Sequence, residues 1–315
     1  MSQFEVRPQE IYLLERYSSA EYFKELIDAF KNMLDVAENA LELFMRDLPY
    51  DYRNLHISQQ PDVVWGEHVL PNFRSTLESL NYGYKRLLEG DLSALQYAGN
   101  VQSDFNAQTT DYLPDWMDEN NFALFDQWQS KVRLLASNIK ATVFSSWPVT
   151  FLTENYDTDC FGELNLPRSL PVYQLTADIK VETGETVPRN GIYIPEIPEA
   201  SAQLLLKGHD TIEALVGLSR SGLQYAREES TTWLLVKRIA DEGGSSETIQ
   251  IENLKGFAGQ TCQRTGNWWS PANQLQSRYF EQGEVFPEIE NNGWGETIWY
   301  LEVTNKQWLG NLKLK

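Results

Sequence analysis

The sequence predicts an α+β protein: an N-terminal helical bundle followed by a strand-and-turn-rich mixed domain built from a degenerate tandem repeat. Apolar stripes at three- and four-residue steps run through the first half, the period of one helix face. After about residue 160 they give way to short β-rich runs separated by Gly, Pro and Asn, the grammar of strands and turns. Within that second half, one Gly-Thr-Arg-Gly-aromatic pattern occurs twice at a constant spacing.

The first helix is expected from Ser18. Phe23, Leu26, Ile27, Phe30, Met33, Leu34, Ala37, Leu41 and Phe44 form a single stripe, Ser18 and Glu21 read as a capping box, and Pro49 lies past the end. A second helix is expected to open at Pro71, where a missing amide is harmless, and to carry Phe73, Leu77, Leu80, Tyr84 and Leu87 as far as Gly90. A third begins near Asp91 with Leu92, Leu95, Val101 and Phe105, and a fourth holds Phe125, Trp128, Val132, Leu135, Ile139 and Val143 before Pro148. Such stripes stay dry only against one another. Residues 1–160 are therefore read as an acidic helical bundle domain, and residues 165–315 as a mixed β-rich domain with repeats over about 171–240 and 246–303.

The repeat pairs GETVPRNGIY (184–193) with GQTCQRTGNW (259–268) at one offset of 75 residues. Gly184, Thr186, Arg189, Gly191 and Tyr193 correspond to Gly259, Thr261, Arg264, Gly266 and Trp268, and the same offset takes Gly208 to Gly283. Thr231–Leu235 echoes Glu296–Leu301 at a shorter offset, as expected if the first copy carries an insertion around 209–230. Gly191 and Gly266 are expected to supply a positive φ in a turn joining two strands. Gly208 and Gly283 are expected to mark a second reversal, and the Trp-bearing strand to close each unit. These residues are read as architecture, not as ligand contacts.

Composition excludes several function classes. A formal net charge of -19 disfavours nucleic acid, whose phosphates need clustered Lys and Arg, and favours a basic protein partner. The first 160 residues hold 12 Lys+Arg against 25 Asp+Glu, and residues 161–315 hold 14 against 20, so the first half supplies most of the field. No window approaches the roughly 20 apolar residues of a membrane span, and the first residues lack a secretory pattern. Two cysteines, Cys160 and Cys262, are too few for a disulfide framework or a thiolate zinc site. A cytoplasmic location is expected, with no membrane partner.

No constellation for catalysis stands out, and the expectation is no catalytic residues, no cofactor and no metal. His56, His68 and His209 are not at ligand spacing from one another or from the cysteines. Cys262 falls where the first copy has Val187, and a thiol exchanging with a small apolar residue suggests a core position. Neither repeat turn joins a strand to a helix as a phosphate loop would.

One acidic, aromatic stretch stands out as a partner surface: Asp111, Tyr112, Asp115, Trp116, Asp118 and Glu119, with Leu113, Pro114 and Met117 between them. It has a structural reading, a solvated helix entry where acids oppose the helix dipole. It also has a functional one, in which Trp116 and Tyr112 anchor a partner and the acids match its basic residues.

The segment TCQRTGNWWSPANQLQSRYFEQGEVFPEI (261–289), followed by ETIWYLEV (296–303), resembles the C-terminal immunity-protein domain found beside polymorphic toxins of bacterial type VI secretion and Rhs systems. The shared features are Cys262-x-Arg264-x-Gly266-x-Trp268, the Ser-Pro after it, Gly283-Glu284-x-x-Pro287 and Thr297-x-Trp299. TVPRNGIYIPEIP (186–198) and WLLVKRIADEGG (233–244) are similar to the same families, and the helical half looks like the companion domain that precedes them. The pair resembled is immunity-protein families seventy-one (N-terminal) and seventy-two (C-terminal). The resemblance implies an antitoxin that binds a cognate effector toxin in the cytoplasm, with no family catalytic residues to carry over. The rival readings are an enzyme that reverses the toxin's damage and a chaperone or adaptor that loads the effector.

Overall fold

The computed structural model describes residues 7–219, 222, 224–244, 250–251, 255–270, 272, 277–289 and 297–301, with the side chains of 106–111, 177, 250 and 251 left undescribed. An α1 helix the stripe analysis did not anticipate, Pro8–Tyr17, precedes the expected first helix. Ser18 closes it, its hydroxyl donating to the Leu14 carbonyl at 2.7 Å. The N-cap of α2 (Ala20–Arg46) is therefore Ser19, whose Oγ accepts from the Tyr22 amide at 3.1 Å. The N-cap expected at Ser18 is displaced by one residue, which puts Tyr22 and not Glu21 at the third position, so the reciprocal half of a capping box is not formed; two helices meet there and each uses its own terminal hydroxyl.

The second expected helix starts earlier than Pro71. A short α3 (Pro61–Val64) runs through a π turn (Trp65–Val69) into α4 (Leu70–Leu88). Pro71 cannot donate to the carbonyl four residues back, and its ring crowds that carbonyl. The wider turn immediately before it accommodates both, and the Leu70 amide bonds to the Trp65 carbonyl. A 3-10 segment, Leu92–Tyr97, leads into α5 (Ala98–Asp111), and α6 spans Glu119–Val143. The α2 stripe is buried against α4 and α6. Phe30 packs edge-on to Phe73 at 5.7 Å and parallel to Phe105 at 6.1 Å, joining three of the predicted helices at one point. A short α7, Thr158–Phe161, follows.

Two sheets follow. The first has the order β3-β2-β6-β1-β7, with β1 Leu170–Glu182, β2 Gly191–Pro195, β3 Gln203–Leu205, β6 Thr232–Gly244 and β7 Gln250–Ile251. The second has the order β10-β9-β11-β8, with β8 Lys255–Phe257, β9 Gly266–Trp269, β10 Ser277–Phe280 and β11 Ile298–Leu301. The four-strand order is the same in both, and so is the register. Gly191 opposite Leu205 becomes Gly266 opposite Phe280, and Val181 opposite Trp233 becomes Gly256 opposite Trp299.

The hydrogen bonds repeat as well. Val187 N–H donates to the His209 carbonyl at 2.8 Å, and Cys262 N–H to that of Glu284 at 2.6 Å. Tyr193 Oη donates to the Arg189 carbonyl, and the Trp268 indole to that of Arg264. The Trp233 indole donates to Ile212, and the Trp299 indole to Pro287. Gly184 and Gly259, at φ +85° and +83°, and Gly208 and Gly283, at +84° and +93°, hold equivalent turns that side chains would strain. Gly191 is not left-handed, contrary to expectation. A Cβ there would lie 2.5 Å from Leu235 Cδ1, and one on Gly266 would lie 3.0 Å from the equivalent Leu301 Cδ1, so what these glycines supply is room. The inserted segment of the first copy carries a hairpin, β4 (Ala214–Leu218) with β5 (Tyr225–Glu229).

The two faces of the first sheet go different ways. Ile192, Ile194, Leu204, Leu234 and Val236 share one buried core with the helices, including Ile11, Leu14 and Tyr17 of α1 and Trp147. The alternate residues Val181, Tyr193, Leu205, Trp233 and Leu235 form a second core with Ala214 and Val216, as the period of two requires. Polar contacts fasten the junction. Glu15 accepts from Tyr173 Oη at 2.7 Å and pairs with Arg238, Gln203 Nε2 donates to the Trp147 carbonyl at 2.7 Å, and Ser145 Oγ donates to that of Leu204.

Glu10 of α1 is buried at this junction, and its Oε1 has no hydrogen-bond partner. Burial pushes its carboxyl up from 4.5 to about 7, against the opposing influence of Ser201, Arg7 and the Ala202 backbone. The folded protein therefore holds this proton more tightly than the unfolded chain does. Stability contributed by the neutral carboxyl is present at low pH and lost as pH rises from 4.5 through about 7, on the order of 3 kcal/mol in all. Glu10→Gln should abolish most of that fall. Urea unfolding at about pH 5 and about pH 8 checks it, and a slope equal to that of the unaltered protein would refute the assignment.

Candidate partner-binding site

The acidic, aromatic stretch connects α5 to α6 at one end of the bundle. Asp118 is the N-cap of α6, accepting from the amides of Asn120 and Asn121 at 3.1 Å each. The Asn121 side chain and those amides hold its carboxyl below the usual range, so it stays ionised. Glu119 follows in the first turn, where the helix dipole favours it. Asp115 and Glu119 are exposed, Leu113 is 61% exposed, and Met117 is buried. Tyr112 and Trp116 are half-buried, packed against the helical core. Asp111 ends α5, and its side chain lies outside the described residues.

Trp116 is the hub of this end. Its ring lies 5.8 Å from Phe44 at the end of α2 and 5.4 Å from Trp65 of the π turn, both edge-on. Phe44 in turn meets Tyr52, and Trp65 meets Phe125 of α6. The indole nitrogens of Trp65 and Trp116 are buried without a hydrogen-bond partner. Around this aromatic cluster, chain segments leading from it expose Leu43, Tyr50, Leu55, Ile57 and Phe122. Asp47 and Asp51 are exposed beside them. Arg53 is paired with Asp62 at 2.7 Å, and Arg46 with Glu42. The segments that meet at Trp116 thus expose both apolar side chains and carboxylates.

The structure brings Trp116, Asp118 and Glu119 to one helix entry and gives each a structural duty as well. Asp118 is a cap and Trp116 a packing hub, so Asp115 and Glu119 are the acids of the predicted set that are exposed and not committed to capping. Sequence reading missed the contribution of residues 47–60 and of Trp65. Those segments fold as 3-10 and π turns, which have no apolar period to find.

The remaining chemistry-bearing residues are placed apart. Cys262 is buried in the core of the second repeat with Trp268, Phe280, Phe286 and Trp299. Its thiol contacts the Arg264 carbonyl at 3.0 Å and is pushed up by burial. Cys160 is exposed, its thiol raised by its hydrogen bond to Asp157. His56 Nδ1 lies 2.8 Å from Ser58 Oγ. Arg264 pairs with Glu196 across the two repeats. Among the described residues, no group of three or more His, Cys, Asp or Glu could hold a metal ion, and no helix is long and apolar enough to cross a membrane. No protein-family model, curated protein or solved structure matches the chain.

Asp118→Ala should remove the α6 cap and lower stability measurably, whereas Asp115→Ala should leave stability nearly unchanged. Chemical denaturation of both variants checks this. Equal losses would show that Asp115 also holds the fold.

Proposed function

We propose that this chain is an immunity protein that neutralises a cognate effector toxin by direct contact in the cytoplasm. The observation that carries the reading is the aromatic cluster of Phe44, Trp65 and Trp116, whose neighbouring chain segments expose Leu113, Tyr50 and Ile57 together with Asp47, Asp51, Asp115 and Glu119. Apolar anchors inside a charged rim are how a protein surface grips another protein, and a net charge of -19 favours a basic one.

The motif residues behind the family resemblance support the same reading indirectly. Cys262, Gly266, Trp268 and Trp299 build the second repeat, so the resemblance is one of scaffold. A scaffold leaves affinity to its surface. A tight complex would cover on the order of 1,600 Å².

Co-expression with the toxin domain encoded beside this chain tests the reading. The chain should restore growth and co-purify with the toxin in equal amounts. Reversing Asp115 and Glu119 to Lys together should slow association by roughly tenfold at low salt, with the deficit shrinking as salt is added. Loss of both rescue and co-purification in the unaltered protein would refute the proposal.

A further inference from the structure

The duplication shows what the same sheet face does in two settings. In the first repeat, the face bearing Ile192, Ile194, Leu204 and Leu234 is buried. It lies in the core shared with the helices, with α1 against β1 and β2 and α6 against β3. Its outer edge at β3 is closed by Ser145 and by Trp147, which exchanges hydrogen bonds with Gln203.

Register fixes the equivalents in the second repeat. Ile192, Ile194 and Leu204 become Asn267, Trp269 and Tyr279, and Leu234 becomes Tyr300. Tyr300 lies opposite both Trp269 and Lys255, so these side chains share the face. The Trp269 and Tyr300 rings stack at 5.0 Å. Trp269 and Tyr300 are half-buried and Tyr279 is 55% exposed. The buried core of the helical half contains no described residue beyond Val236, and β10 is an edge strand.

A sheet face meant only for water carries small polar and charged residues. This one exchanges three of its four aliphatic side chains for Trp and Tyr and the fourth for Asn267, with Lys255 beside Tyr300; Trp and Tyr combine a broad apolar body with a polar tip and are enriched at protein interfaces. At the rim, Glu281 is exposed where the first repeat buries Leu206, so a carboxylate stands where the intramolecular helical core met a leucine.

We propose that the face formed by Trp269, Tyr279 and Tyr300 is a docking surface for an amphipathic α-helix of a separate, basic protein. That helix takes the place α1 and α6 occupy on the first repeat, with a Lys or Arg meeting Glu281. The identification of that protein as the cognate toxin rests on the function proposed above.

The test measures affinity of the full-length chain for a catalytically inactivated form of the toxin domain encoded beside it, by calorimetry. Tyr279→Arg and Trp269→Ala should each weaken binding at least tenfold, with circular dichroism unchanged. Hydrogen exchange should show protection of 266–270 and 277–280 in the complex. If the unaltered chain binds but folded Tyr279→Arg binds equally well, the docking surface is overturned and the proposed function stands. If the unaltered chain neither binds nor protects cells, the proposed function falls. If the chain alone sediments as a dimer that Tyr279→Arg dissociates without changing toxin affinity, the face joins two copies and the docking surface is likewise overturned.

Discussion

The contact on which the rest of the structure depends is the one between α1, α6 and the inner face of the first sheet. Ile11, Leu14 and Tyr17 share a core with Ile192, Ile194, Leu204 and Leu234, with Trp147 among them. A sheet of this size has two apolar faces to dry, and its own β4–β5 hairpin covers only one. The helices dry the other, and the sheet in turn covers α1, which at ten residues is too short to be stable in water by itself. Glu15 then links α1 to Tyr173 and Arg238 of the sheet, and Glu10 is buried at the same junction.

The second repeat keeps the first one's hydrogen-bond frame and changes what is attached to it. The turn glycines, the indole bonds and the strand order recur. Among the described residues its core is smaller and centred on four rings: Trp268, Phe280, Phe286 and Trp299 pack edge-on or parallel at 4.7 to 6.2 Å. Large rings let a small sheet bury much apolar area per residue. Arg264 and Glu196 place one ion pair between the copies.

Legibility in the sequence followed the range of the interaction. The stripes of α2 and α6, the change of texture after residue 160 and the offset of 75 residues were readable because each is a periodicity along one chain segment. The helix boundaries were not. Ser18 and Ser19 are both capping residue types, and which helix each serves depends on α1, whose burial is supplied by the sheet. At the end of the bundle where α5 meets α6, the acids and Trp116 were visible as a local cluster. Trp65, Phe44 and Tyr52 were invisible as their neighbours, because they come from three separate segments brought together only by packing.

By itself, then, the sequence determined that this is an α+β chain with a helical first half and a duplicated strand-and-turn unit, because helix and strand periods and turn glycines are local properties. Only the tertiary structure decided that Gly191 and Gly266 serve by leaving space, that Asp118 caps while Asp115 faces water, and that equivalent sheet faces are buried in one copy and partly open in the other. Those outcomes are set by what lies across from each residue, and the neighbour across is contributed by chain far away in sequence.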